Sequence, residues 1–481
     1  MIGPNNALAY IRGNRKRYED ELAAFIRFAS VSAQPQHAGD VARCAAWLTE
    51  HLQTLDPDVL RLVPTHRHPI VHAAWRRALR GGPTVLIYGH YDAQPAEPLE
   101  EWLSPPFSPV VRGDDMYGRG ASDDKGQMFA HVKAIESFLK TTGGLPVNVT
   151  CLFEGEEEIG SPSLASFLNT SRSELAADYA VVSDTQIPGP RRPAITYALR
   201  GGLSVEIEAR GASRELHSGV FGGAACNPLQ ALSAMIARLY DSRGAIAIPG
   251  FYDRVRRWDL RERRYMAKVG PSDAEMLDRA GAMEACGEPG YSLYERTTIR
   301  PALTVSGLIG GYQGPGVKAA IPTRAVAKIN FRLALDQDPR EIDRLFREHV
   351  ARIFPSAVQT SVRTLMRARP ALIDRTDPAI VAAARAYRQA FDAPPIFLRN
   401  GGTIPVVTLI QDTLRIPVVL MGFGLTSDAI HAPNERFHLP NFHKGIETSI
   451  RFLSEMGAQP RTSRKGIADR ARIMPHREVV A

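Results

Sequence analysis

VLIYGHYDAQP, residues 85–95, opens as an apolar run and then presents an imidazole and a carboxylate, His90 and Asp92. A short apolar run bounded by turn residues reads as a buried strand. Packing alone gives such a strand no use for two polar groups at its end. The pattern recurs along the chain. "TVLIYG" (84–89), "VNVTCLF" (147–153) and "YAVVS" (179–183) are all short apolar runs, and the helical pattern "GQMFAHVKAIESFLKTT" (126–142) lies between the first two. Upstream, "YEDELAAFIRFAS" and "DVARCAAWLTEHLQTL" carry apolar residues at three- and four-residue spacing, which predicts two further helices. Strands alternating with helices predict an α/β domain on a mostly parallel sheet.

The pattern changes after Arg200-Gly201-Gly202. "LSVEIEARG" and "AVAKINFRLAL" (325–335) alternate strictly between apolar and polar residues, as half-buried antiparallel strands do. A helical segment, "PLQALSAMIARLYD", and a charged, helix-like insertion around 250–290 lie between them. From Ile373 the helix-and-strand style returns, with "DPAIVAAARAYRQAF" and "PVVLMGFG" (417–424). The economical division is a first domain in two pieces, 1–200 and 373–481, with a smaller α+β domain inserted at 201–372.

Composition bounds the function. The chain has 481 residues, 44% hydrophobic and 23% charged, which suits a globular protein with a large core. No apolar run approaches the roughly 18 residues of a membrane helix, so no membrane partner is expected. The four cysteines form no CxxC pair and are widely scattered, which argues against a disulfide framework and for a reducing cytoplasm. The net charge of +8 is mild for this length. Its arginines gather at 252–268 and 461–477; a nucleic-acid role would want basic and aromatic residues interleaved on a recognisable fold, so solvated helix faces are expected instead.

The strand ends carry the chemistry. "MYGRGAS" leads into Asp123-Asp124-Lys125-Gly126; "VTCLFEG" ends in Glu156-Glu157-Glu158; "YAVVS" ends in Asp184; "VLMGFGLTSDAI" leads to His431. In an open α/β sheet, ligands sit in the crevice at the carboxyl ends of the strands. Two imidazoles with several carboxylates and no thiolate suit zinc, or alternatively manganese or cobalt. Two divalent ions would bring four positive charges, of which Asp123, Glu158 and Asp184 cancel three and a bridging hydroxide the last. Asp123 is the candidate shared ligand, since its two oxygens can each take one ion. One acidic group must stay off the metals to move a proton. Glu157 as base and Glu158 as ligand fits, with the register of the Glu156–Glu158 run open by one residue. Asp124 also fits an N-cap of the helix that follows, and Arg119 and Lys125 read as structural partners of the acidic cluster.

"GHYDAQP", "GRGASDDKG", "EGEEEIGS", "VVSDT" and "IHAPNE", in this order, resemble the M20 metallopeptidase family, in particular its dipeptidase branch. The likeness extends to "LHSGVFGG", "GGYQGPGVKAAIP" and "RNGGTIP". It implies a zinc-peptidase catalytic domain with an inserted α+β lid and dimerisation domain, two divalent metal ions per subunit, and a cytoplasmic homodimer joined through the insert. It further implies that one metal takes His90, Asp123 and Asp184 and the other Asp123, Glu158 and His431. Asp92 would orient His90, Glu157 would be the general base, and the Asp123–Asp124 peptide would be cis. His217 would reach the partner subunit's site to stabilise the oxyanion. Arg332 and the Gly402, Thr403 and Ile404 loop would bind the substrate carboxylate.

The expected activity is hydrolysis of the amide bond of a dipeptide by a metal-bridging hydroxide. The nearest rival is deacylation of an N-acyl amino acid at the same metals. A rival of another class, a catalytically dead peptide-binding relative, should lack a ligand or the base, and none is missing.

Overall fold

The structure, a computed structural model, describes residues 3–78 and 82–459, so the basic stretch 461–477 lies outside it. The chain divides into two units. The second comprises Ala198–Leu372 together with Leu398–Thr408, and the first comprises the rest. The segment 398–408, left by the sequence with the C-terminal piece, clusters with the second unit. There the Arg399 N–H donates to Tyr294 Oη (2.8 Å) and Arg200 Nε donates to the Gly401 carbonyl (2.9 Å).

In the first unit, Asn148–Glu154, Thr84–His90, Tyr179–Val182 and Val418–Leu420 lie side by side and parallel. Antiparallel strands flank them: Ile70–Trp75 and Val59–Val63 on one side, Ala194–Leu199 on the other. The central strands are buried along almost their whole length, as strands of a sheet covered on both faces must be. Parallel pairing puts their carboxyl ends on one edge, and the polar residues after each apolar run gather there.

The helix Gly126–Thr142 is buried from Gly126 to Phe138. It passes so close to the strand before it that a Cβ on Gly89 would meet Met128 Cγ at 2.5 Å and Asp124 Oδ2 at 3.0 Å. Only glycine admits that approach immediately ahead of His90. Gly126 is similarly confined, with the Ala121 carbonyl 2.2 Å from where its Cβ would stand.

The second unit holds a four-stranded antiparallel sheet in the order Ala302–Gly310, Arg324–Leu333, Gly201–Arg210, Gln359–Ala368. Helices Pro228–Ala237 and Pro339–Ile353 complete a split βαβ arrangement. Alternation decides its faces: Leu203, Val205, Ile207, Ala327, Ile329 and Phe331 pack with Leu232, Met235, Phe346 and Val350 from the helices. Both helices start on an Asx cap followed by proline, Asn227-Pro228 and Asp338-Pro339.

His72 and His131 are both buried in the first unit. Among the described residues, His72, on Ile70–Trp75, has no hydrogen-bond partner at either ring nitrogen. His131 bonds Ser183 Oγ (2.6 Å) and Ser449 Oγ (2.9 Å). Burial pushes the pKa of His72 down to about 4 and that of His131 to about 3. Both values lie below the unfolded value of about 6.5, so the stability that depends on a neutral ring is complete above that pH and is lost as pH falls towards 4. The melting temperature is therefore expected to drop between about pH 7 and about pH 4, and to drop less in His72→Leu. Equal slopes for the two proteins in matched buffers would show that His72 plays no part.

Candidate metal centre

Each polar residue after a central strand is placed by a local feature of the backbone. His90 closes the strand Thr84–His90 and is fully buried. Asp123 sits in a kinked turn, with φ −117° and ψ 94°, before the buried helix, and the Asp123–Asp124 peptide is cis. Glu157 and Glu158 form a single helical turn after Asn148–Glu154. Asp184 follows Tyr179–Val182 by two residues. His431 lies on a loop with φ 61°, a left-handed conformation uncommon for a side chain of its size.

These groups converge in two triads. The ligand atoms of His90, Asp123 and Asp184 all lie within 4.8 Å of one another, as do those of Asp123, Glu158 and His431. Asp123 belongs to both. Its Oδ1 is 3.1 Å from His90 Nε2 and its Oδ2 is 2.8 Å from His431 Nε2, so each oxygen faces a different imidazole. Glu158 Oε1 is 3.5 Å from the same His431 nitrogen. Ligands at 2.0–2.2 Å from a tetrahedral ion stand roughly 3.3 Å apart, and the observed separations bracket that value.

A further layer of contacts orients these groups. His90 Nδ1 lies 3.2 Å from the Asp92 carbonyl and 3.4 Å from Asp92 Oδ1, acceptors that suit a proton on Nδ1 and set the ring with Nε2 on the Asp123 side. Asp92 also accepts the Ser32 hydroxyl (2.6 Å) and the N–H groups of Glu157 (3.2 Å) and Glu158 (3.1 Å). Gln94 Nε2 donates to Glu158 Oε2 (2.8 Å).

Of the three glutamates, Glu156 is engaged away from the triads. Its buried carboxylate accepts from Thr65 Oγ, the His68 N–H, the Ser163 N–H and Ser163 Oγ at 2.7–3.0 Å. It is consumed there. Glu157 belongs to neither triad, and Glu158 to one.

Burial and mutual repulsion shape the charge state of the cluster. Burial, reinforced by neighbouring carboxylates, pushes the pKa of Glu157 and Asp184 well up and raises that of Glu158. Burial holds Asp124 up at about 8. Asp123 is pulled low because hydrogen bonds from His431 and His90 outweigh its burial. His431 rises to about 10 on its bonds to Asp123 and Glu158; His90 rises too, its burial overcome by Asp123 and Asp92. So many acids in a dry site can ionise together only if cations replace those protons. The donor set fits a pair of divalent ions.

A third acidic group, Glu21, His51 and Glu136, does not fit a metal. Lys133 Nζ already stands 2.5 Å from Glu21, 2.8 Å from Glu136 and 2.7 Å from His51 Nε2.

The remaining residues named from the sequence lie in the second unit. Arg332 Nη1 donates to Thr403 Oγ (2.8 Å), the Gly402 N–H donates to Asn400 Oδ1 (2.8 Å), and Ile404 is buried. His217 is exposed and caps a short helix, its Nδ1 accepting the Gly219 N–H (3.0 Å).

Sequence reasoning missed the residue that fastens the Asp123 turn. Glu435, four residues after His431, accepts from Arg119 Nη1 (2.9 Å) and from the N–H groups of Gly120 (2.9 Å), Ser122 (2.9 Å) and Asp123 (3.1 Å). Both side chains of the pair are 1% exposed. The only signal was its place in "IHAPNE". Asp124 does not cap the following helix; its Oδ2 accepts the His90 N–H (3.3 Å). Lys125 donates to the Phe28 carbonyl (2.8 Å).

Comparison with known proteins gives the same picture. Peptidase family M20/M25/M40 matches residues 86–455. The Cys-Gly metallodipeptidase dug1 of Schizosaccharomyces pombe is 32% identical over 382 residues, 78% of this chain and 80% of that protein. The beta-Ala-His dipeptidase of Mus musculus is 30% identical over 383 residues, 78% of each chain. Among solved structures, the di-peptidase Dug1p of Saccharomyces cerevisiae superposes with a TM-score of 0.86 at 26% identity, covering 95% of this chain and 99% of that one.

Removing one partner of a buried ion pair costs about 3–5 kcal/mol. Glu435→Ala is expected to lose stability on that scale in chemical denaturation, and Glu435→Gln, which still accepts hydrogen bonds, clearly less. Wild-type stability in Glu435→Ala would mean that the Asp123 turn is held by other contacts.

Proposed function

Because the chain belongs to peptidase family M20/M25/M40, we propose that it is a metal-dependent dipeptidase. The observation that carries this reading is the pair of triads sharing Asp123, with Glu157 beside them and outside both. His90, Asp123 and Asp184 would hold one divalent ion, and Asp123, Glu158 and His431 the other. Zinc suits their mixture of imidazole and carboxylate. Bound there, such ions supply Lewis acidity, polarising the scissile carbonyl and making water easier to deprotonate.

The chain's own residues do the rest. Glu157 has a carboxylate whose affinity for a proton is raised by burial. It takes the proton of the attacking water and delivers it to the departing amine. Asp92 keeps the proton on His90 Nδ1 and, through the two amide N–H groups it accepts, holds Glu157 and Glu158 in register. The Arg332 fork and the Thr403 hydroxyl meet the substrate's free carboxylate, with Gly402 and Ile404 completing the loop.

His217 acts in a homodimer formed through the inserted unit. Its Nδ1 accepts an N–H, so the neutral ring carries its proton on Nε2, as a donor to a partner's oxyanion must. A cytoplasmic setting accords with four cysteines that are all free. Among the described residues, no helix is long and apolar enough to cross a membrane.

Purified protein is expected to carry about two divalent ions per chain and to lose activity on chelation. Glu157→Gln should keep the metal and lose about 10²–10⁴ in kcat. Ala-Ala should turn over faster than N-acetyl-alanine; the reverse order would make the enzyme an N-acyl-amino-acid deacylase.

A further inference from the structure

Arg200, between the strands Ala194–Leu199 and Gly201–Arg210, is only 8% exposed. No carboxylate of the described residues pairs with it. A buried guanidinium ordinarily has an acidic partner, because desolvating an unpaired charge is costly. Arg200 has carbonyls instead: Nε donates to Gly401 O (2.9 Å), and Nη1 to Arg296 O and Arg300 O (both 3.4 Å). Arg296 lies in the last turn of the helix Leu293–Thr298, where the peptide dipoles favour a cation, and Arg300 stands two residues beyond it.

These contacts fix the glycine turn. A Cβ on Gly401 would stand 2.3 Å from Thr297 O and 3.2 Å from Arg200 Nη2, so the backbone is pressed against both. Two residues on, Thr403 Oγ accepts from Arg332, which likewise has no carboxylate partner among the described residues. The two cations are near enough to interact. Burial first and the charge of Arg332 second push the pKa of Arg200 down to about 9. A buried and a half-buried like charge sharing one turn make a place that an anion stabilises.

We propose that Arg200 is a positioning residue of the carboxylate subsite, holding the Gly401–Thr403 turn against Arg332 and adding a second positive charge where the substrate's free α-carboxylate binds. This rests on the assignment of Arg332 and Thr403 to that carboxylate. Arg200 therefore contributes to selection of free acids over amides, and it acts on binding rather than on proton transfer.

The test uses the metal-loaded enzyme, with L-alanine and L-alaninamide as competitive inhibitors and Ala-Ala as substrate. Charged hydrogen bonds of this kind correspond to about ten- to a hundredfold in affinity. Arg200→Met is expected to weaken alanine by about that factor, leave alaninamide within about threefold, and raise KM for Ala-Ala with kcat nearly unchanged. Arg200→Lys, which keeps the charge but not the fork, should fall between; it carries the test if the methionine variant does not fold. Equal weakening of alanine and alaninamide, or a fall in kcat at constant KM, would overturn the proposal. Arg332→Met is the control. Discrimination lost there but intact in the Arg200 variants sinks this inference alone. Discrimination intact in both removes the carboxylate subsite itself, and this inference with it.

Discussion

Asp123 turns one oxygen towards each of two imidazoles, and much of the first unit is organised to keep it there. A single carboxylate can serve two cations only if its orientation is held, because rotation about its last bond would favour one and abandon the other. The other carboxylates raise the stakes. They are buried and close, and without cations their repulsion is relieved only by protonation.

The sheet answers part of that demand. Parallel central strands bring His90, the Glu157-Glu158 turn and Asp184 to one edge, on backbone that is hydrogen-bonded and buried right up to the functional residue. The connecting loops lack that support and use buried acids as fasteners. Asp92 gathers Ser32, Glu157 and Glu158; Glu156 gathers Thr65, His68 and Ser163; Glu435 gathers Arg119 and the N–H groups of Gly120, Ser122 and Asp123. A carboxylate accepting several N–H groups is well suited to this, since each bond to an ionised acceptor is strong and directional. Some of the acidic residues in these motifs thus serve structure, next to others of identical chemistry that serve the metals.

The second unit follows a different logic. Its antiparallel sheet and two capped helices form a core of their own, and its polar residues are arranged for recognition. Gly202 lies opposite Arg332 in the sheet register, and a Cβ there would stand 3.5 Å from Thr403 Oγ and 2.9 Å from Met366 Cε. Around this turn the positive charges outnumber their acidic partners, the converse of the carboxylate excess in the first unit.

The sequence by itself determined the class of fold, because apolar runs alternating with helical periods, and later a strict two-residue alternation, are local consequences of which faces are buried. It also pointed to His90, Asp123, Glu158, Asp184 and His431, through polar residues that end or follow apolar runs and through motifs that resemble the M20 family. It did not reveal the flanking strands Val59–Val63 and Ile70–Trp75, where Arg61 and His72 interrupt the apolar pattern. Nor did it show what Glu156 does, or single out Gln94, Glu435 and Arg200. Those assignments depend on partners far away in the chain: Glu435 meets Gly120 across 315 residues, and Arg200 meets Gly401 across 201. An acid's role is set by which donors surround it, and only the tertiary structure brings those donors within reach.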